Sequence, residues 1–196
     1  MIPIPPPAHP LHYRALGLIK GTLKPVPGSI SQATLVTADG DEYPTTPGRA
    51  QLLKQFTRCV EQDLPHWFYV HPQPRPNDVM GLSVIRILSL SEAEWEAMDP
   101  EAERPEEDFA PIMDGAEAGF NVRGDIHSRK GVITVTVQRQ PQGDKHFPPL
   151  QVKIQGFLPG SQDGEFWDLM ADLEGHELIL VDGTRLLDAP ETSETA

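Results

Sequence analysis

The chain has 196 residues, 38% of them hydrophobic, which is enough for a core and too many for wholesale disorder. Its 21 prolines and 16 glycines fall short of a low-complexity composition, but they disfavour long helical bundles because proline breaks helix interiors. One cysteine excludes a disulfide framework and a cysteine-rich zinc site, and a net charge of −13 argues against a general polyanion binder.

Residues 1–12 begin Met-Ile-Pro-Ile-Pro-Pro-Pro-Ala-His-Pro and read as a polyproline-type arm. They lack the charged start and unbroken apolar run of a signal peptide, and no run of 18 apolar residues follows. With a single cysteine this points to a cytoplasmic location.

Residues 13–98 form the first predicted domain. Arg14–Lys24 is a strand with Gly17 and Gly21 inside, and internal glycine marks a bulge or a barrel bend. Gln32–Thr37 and Asp41–Thr45 are strands joined by Asp39-Gly40, a hairpin signal. Over Arg49–Gln62 the period changes: Leu52, Leu53, Phe56, Cys59 and Val60 share a helical face, and Pro65 ends it. His66–Val70 is a strand, Pro72, Pro74 and Pro76 a rigid loop, and Gly81–Leu90 a second long strand of this half. Ser91 and Glu94 match a capping box for a short helix to Met98.

Residues 99–117 read as an acidic, proline-bearing linker, kept extended by repulsion between carboxylates. Charge is segregated along the chain. Residues 1–91 carry +2, 92–119 carry −10, 120–157 carry +4 and 158–196 carry −9.

Residues 118–188 form the second predicted domain, followed by an acidic tail over 189–196. Its strands are Phe120–His127 with Gly124 inside, Val132–Val137, Leu150–Gln155 and Leu178–Val181. Phe166–Leu173 fits both a strand and a helical face. The Glu174-Gly175 turn and the partner at Leu178–Val181 favour the strand. The expected architecture is mainly β with one or two helices (α+β): two small OB-like barrels joined by an acidic linker.

No phosphate-binding loop, zinc-protease helix, nucleophile elbow or dinucleotide fingerprint occurs. The seven histidines, His9, His12, His66, His71, His127, His146 and His176, are scattered, so no metal site is expected. Asp163, Glu165, Asp168 and Asp172 could pair for acid–base work but, without a pocket or a partner base, read as a solvated strand face, and Cys59 lies on the apolar helix face as a core residue. No catalytic residue and no cofactor is expected.

The basic segment is more informative. Alternation puts Arg123, Asp125 and His127 on one face of their strand, opposite Val122 and Ile126. It puts Gln151, Lys153 and Gln155 opposite Leu150, Val152 and Ile154. If these strands pair, a polar and basic face results, with Phe120, Phe147 and Phe157 near its edges. Barrels that hold single strands combine basic grooves with stacking aromatics. The candidate nucleic-acid-binding residues are Arg123, Arg129, Lys130, Arg139, Lys153 and Phe147. A non-catalytic protein contacting RNA or single-stranded DNA is one expectation. The alternative is a protein-interaction or assembly factor acting through the acidic linker and the proline-rich arm.

The stretch PPPAHPLHYRALGLIKG over residues 5–21, Phe120-Asn-Val-Arg-Gly124, Gly156-Phe-Leu-Pro-Gly160 and Phe166-Trp-Asp-Leu169 resemble an uncharacterised family of cyanobacterial proteins. The resemblance covers nearly the whole chain. It implies a soluble cyanobacterial protein and carries no known activity.

Overall fold

The computed structural model describes residues 4–98, 109–139 and 146–188. The chain forms two compact units. One holds Gly17–Gly119; the other holds Pro5–Leu16 together with the chain from Phe120 on. Among the described residues the architecture is mainly β with two α-helices, as the strand-rich pattern predicts.

The first unit is built from β1 (Arg14–Pro25), β2 (Ala33–Val36), β3 (Glu42–Pro47), α1 (Leu53–Gln62), β4 (Pro65–Pro74), β5 (Met80–Leu88) and α2 (Glu92–Met98). β1 pairs antiparallel with both β2 and β4. β2–β3 and β4–β5 are antiparallel, and β3–β5 is parallel, so five strands close into a barrel. Leu18, Leu23, Leu35, Phe68, Leu82 and Val84 fill it. The period-3.6 face of α1 buries Phe56 and Cys59, and Asp63, left-handed at φ 55°, ends the helix. The capping box forms as predicted: Glu94 N–H donates to Ser91 Oγ at 3.2 Å and Ser91 N–H to Glu94 Oε2 at 3.0 Å.

Pro72 and Pro74 depart from expectation. They belong to β4, opposite Leu82 and Met80 of β5, rather than to a loop. Pairing with β1 stops at Val70, so this end of β4 is an edge and has no second ladder that would need the missing N–H groups.

Of the predicted linker, residues 99–108 lie outside the described residues. Its later part packs on the first unit: Phe109 and Ile112 are buried, Ser89 N–H donates to Ala110 O at 3.1 Å and Ile112 N–H to Ser89 O at 3.2 Å. The predicted acidic tail, 189–196, also lies outside the described residues.

The second unit holds β6 (Gly119–Arg129), β7 (Val132–Val137), β8 (Leu150–Gln155), β9 (Phe166–Glu174) and β10 (Glu177–Leu187). β6 pairs antiparallel with β7 and β9, β7 with β8, and β9 with β10, while β8 and β10 run parallel. This is a second closed five-stranded barrel with the same pairing plan, OB-like in both cases. Phe166–Glu174 is a strand, resolving the two periodicities in favour of period two. Val122, Ile126, Ile133, Val135, Val152, Ile154 and Leu169 make the core, and Trp167 is 8% exposed.

Candidate nucleic-acid interface

Two-residue periodicity on β6, β7 and β8 turns one set of side chains inward and the other outward. The inward rows are Ile126–Val135–Val152 and Ser128–Ile133–Ile154. The outward rows are Asp125–Thr136–Gln151, His127–Thr134–Lys153 and Arg129–Val132–Gln155. The polar face drawn from alternation therefore exists, because its three strands pair in the register that aligns those positions.

Its cations sit at the ends and in the middle. Arg129 and Val132 pair across a two-residue turn whose Lys130 and Gly131 have φ of 51° and 80°, the left-handed pair a tight hairpin needs. The turn places Arg129 and Lys130, both exposed, at one end of the face. Lys153 is exposed at the centre, opposite Thr134. Arg139 and Phe147 are exposed on the β7–β8 connection at the other end, Phe147 at 39%. Lys145 of the same connection lies outside the described residues.

Neutral hydrogen-bonding groups lie between the cations. Gln151 Nε2 donates to Thr136 Oγ1 at 3.1 Å, and Gln155 Nε2 to Glu177 Oε1 at 3.0 Å. His127 Nδ1 stands 2.6 Å from Asp163 Oδ2. Acidic groups are present too: Asp125 and Asp163 stand on this face, and exposed Asp172 and Glu174 of β9 and Glu177 of β10 gather at the β9–β10 turn. Of the three phenylalanines assigned to the edges, Phe147 and Phe157 are exposed, whereas Phe120 is 1% exposed in the core.

Arg123 is not on the open face. It is 2% exposed: its Nη2 donates to Pro10 O, and its Nη1 lies 3.5 Å from Asp168 Oδ2 on the neighbouring strand. Its Nε has no hydrogen-bond partner among the described residues. Alternation assigns its direction correctly. The cover comes from a segment over 100 residues earlier in the chain, which no local pattern reveals.

That segment, 5–16, makes further contacts. Arg14 Nε donates to Asn121 Oδ1 at 2.6 Å, its Nη1 to Pro5 O at 2.5 Å, and Asn121 Nδ2 to Asp168 Oδ1 at 2.5 Å. Burial, then the charges of His9, Arg14 and Arg123, holds His12 below its ordinary pKa. Tyr13 stacks edge-on to Phe166 at 4.9 Å and donates its hydroxyl to Asp125 Oδ2 at 2.9 Å. Burial first, then Asp125 as acceptor and charge, pushes the Tyr13 hydroxyl up to about 12. Sequence reasoning missed Tyr13 and Asp125 as a pair, because 112 residues separate them.

Among the described residues no cluster of three or more His, Cys, Asp or Glu could hold a metal ion, and no helix is long and apolar enough to cross a membrane.

Residues 122–187 match the model of a family described as a cyanobacterial OB-fold-like RNA-binding domain, C-terminal. The match covers about a third of the chain and reaches all five strands of the second barrel. No curated protein and no solved structure matches the chain.

Proposed function

We propose that the protein is a non-catalytic RNA-binding protein, whose second barrel lays a single strand across the outer face of β7 and β8. The observation that carries this reading is the family match over β6–β10. The geometry of the face supports it. Arg129 and Lys130 at one end, Lys153 at the centre and Arg139 at the other end give phosphate contacts spread along a track. Phe147 gives a ring for one base to stack on. Thr134, Thr136, Gln151 and Gln155 offer hydroxyls and amides to base edges or to the 2′-hydroxyl. The acidic turn between β9 and β10 repels phosphates and keeps the track on β7 and β8. Single-stranded DNA would meet the same cations and lack the 2′-hydroxyl.

The test is a salt titration of single-stranded RNA binding by the full chain. Wild type is expected to lose affinity linearly in log–log form as salt rises. Changing Arg129, Lys130, Arg139 and Lys153 together to Gln should weaken binding and shrink that slope by up to about 0.7 per lost phosphate contact. All four are exposed, so the fold should be retained, with each change worth about 0.5 kcal/mol or less. Absence of any single-strand binding at low salt would end this reading.

A further inference from the structure

At the Asp125 end of the polar face the second unit has a cavity of about 330 Å³. That is the low end of the ~300–1,000 Å³ range of small-molecule sites, suited to one ring-sized group. Leu11, Tyr13, Phe166 and Leu187 supply apolar and aromatic walls, Gly164 adds no side chain, and Asp125 supplies a carboxylate. Tyr13 and Phe166 hold each other edge to face, so one wall is fixed before anything enters.

Asp125 supplies the polar group that faces a ligand. Its Oδ2 accepts the Tyr13 hydroxyl, while its Oδ1 has no hydrogen-bond partner among the described residues. One acceptor is therefore oriented by Tyr13 and still open. Asp188 brings a second carboxylate to the rim, 3.3 Å from Arg185. A site with apolar walls and carboxylates repels phosphate and uracil O4, and it accepts a flat group with an N–H donor. Asp125 also begins the outward row Asp125–Thr136–Gln151, so the cavity opens where the track across β7 and β8 starts.

We propose that this cavity receives one unstacked base of the bound strand and selects bases carrying an exocyclic amine, which are cytosine, adenine and guanine, over uracil through hydrogen bonding to Asp125. The inference rests on the RNA-binding reading above and adds base preference to it. Carboxylates accept from cytosine N4, and adenine N6 is the equivalent donor, whereas uracil presents only an acceptor there. Uracil has one N–H on that edge, at N3, flanked by two carbonyl oxygens that Asp125 repels, which gives the discrimination its negative half.

The experiment uses the full chain and two kinds of probe. Labelled oligo(C), oligo(A) and oligo(U) of equal length are titrated at fixed salt, and free cytidine and uridine are titrated against the Gly164 and Phe166 amide signals by NMR. Oligo(C) or oligo(A) should bind about three- to tenfold tighter than oligo(U), the yield of one discriminating hydrogen bond. Cytidine should shift both amides and uridine should not. Asp125→Asn should erase the preference of oligo(C) and oligo(A) over oligo(U). Leu187→Trp, at an exposed wall position, should fill the cavity and lower oligo(C) to the oligo(U) level, and serves if the first variant folds poorly. Equal binding of the three oligonucleotides with no response to cytidine overturns the proposal. So does a preference that survives both substitutions, or a response to butylamine with cytidine silent, which would mark a socket for a basic protein side chain. If no oligonucleotide binds but cytidine still moves Gly164 and Phe166, the cavity assignment stands and the strand-track reading falls.

Discussion

Buried polar residues in the second barrel are each held by specific partners, and those partners decide what a substitution does. Glu165, 1% exposed, accepts from Gln162 N–H at 3.0 Å, Trp167 Nε1 at 2.8 Å and Arg185 Nη1 at 2.9 Å. Burial pushes its carboxyl up, but these donors outweigh it and leave the pKa below the usual 4.5. A depressed folded pKa means the contribution to stability is complete above the ordinary carboxylate range and is lost as pH falls through the folded value. Urea unfolding midpoints measured from neutral pH downward should fall in the wild type below about pH 4.5. They should fall less in Glu165→Gln, which also starts lower by about 1–2 kcal/mol. Parallel pH profiles for the two proteins would contradict this. Trp167, the indole bonded to Glu165, is a core residue. Trp167→Ala should cost about 3–5 kcal/mol in urea unfolding, and a loss under about 1 kcal/mol would put the indole outside the core. Trp167 and Glu165 stand two residues apart in the sequence. Nothing local says that a glutamate beside a turn is sealed under an arginine twenty residues on.

At the level of elements, the two barrels share a device at the same place. β1 pairs with β4 up to Thr22 and with β2 from Thr22; β6 pairs with β9 up to Asp125 and with β7 from Asp125. Each first strand changes partner just after a glycine. A Cβ on Gly21 would stand 2.6 Å from Val36 O, and one on Gly124 would stand 2.3 Å from Thr136 O. The strand bends there so closely over its hairpin partner that no side chain fits. Gly124→Ala should cost about 1–3 kcal/mol by forcing the β6–β7 ladder apart, read as a lowered urea midpoint with β-sheet circular dichroism retained. An unchanged midpoint would show that the bend has slack. The bend was legible as a glycine inside a β-rich run, as was the capping box, because both are written within a few residues. The parallel contacts β3–β5 and β8–β10 were not, since they join segments with no shared local signal. The same limit explains β4, whose prolines read as a loop until the absence of a second neighbour strand made them harmless.

For the molecule as a whole, the second unit is discontinuous in sequence: Pro5–Leu16 belongs to it, and Gly17–Gly119 lies between its parts along the chain. Composition read the first residues as an arm, and prolines do dominate them. What fastens them is invisible in composition: Pro10 O accepts from Arg123, Asn121 Oδ1 from Arg14, and Asp125 Oδ2 from Tyr13. The charge pattern was legible in outline, with the +4 segment supplying the cations of the β6–β8 face. Arg123 is covered, and so withdrawn from that face, for this same reason. A fragment of residues 118–188, bounded where sequence composition would cut, leaves Arg123 with Asp168 but without the Pro10 carbonyl, and it uncovers Phe166 beneath Tyr13. Losing an acceptor for a buried cation is costly, so the fragment should unfold at lower temperature than the second unit of the full chain. Adding a synthetic peptide of residues 5–16 should raise its Tm in a concentration-dependent way, as a ligand that binds only the folded state must. An Arg123→Gln fragment should respond much less, because the carbonyl of Pro10 then meets no guanidinium. A melting temperature indifferent to the peptide would mean that residues 5–16 add nothing to the barrel's stability and that composition drew its boundary in the right place.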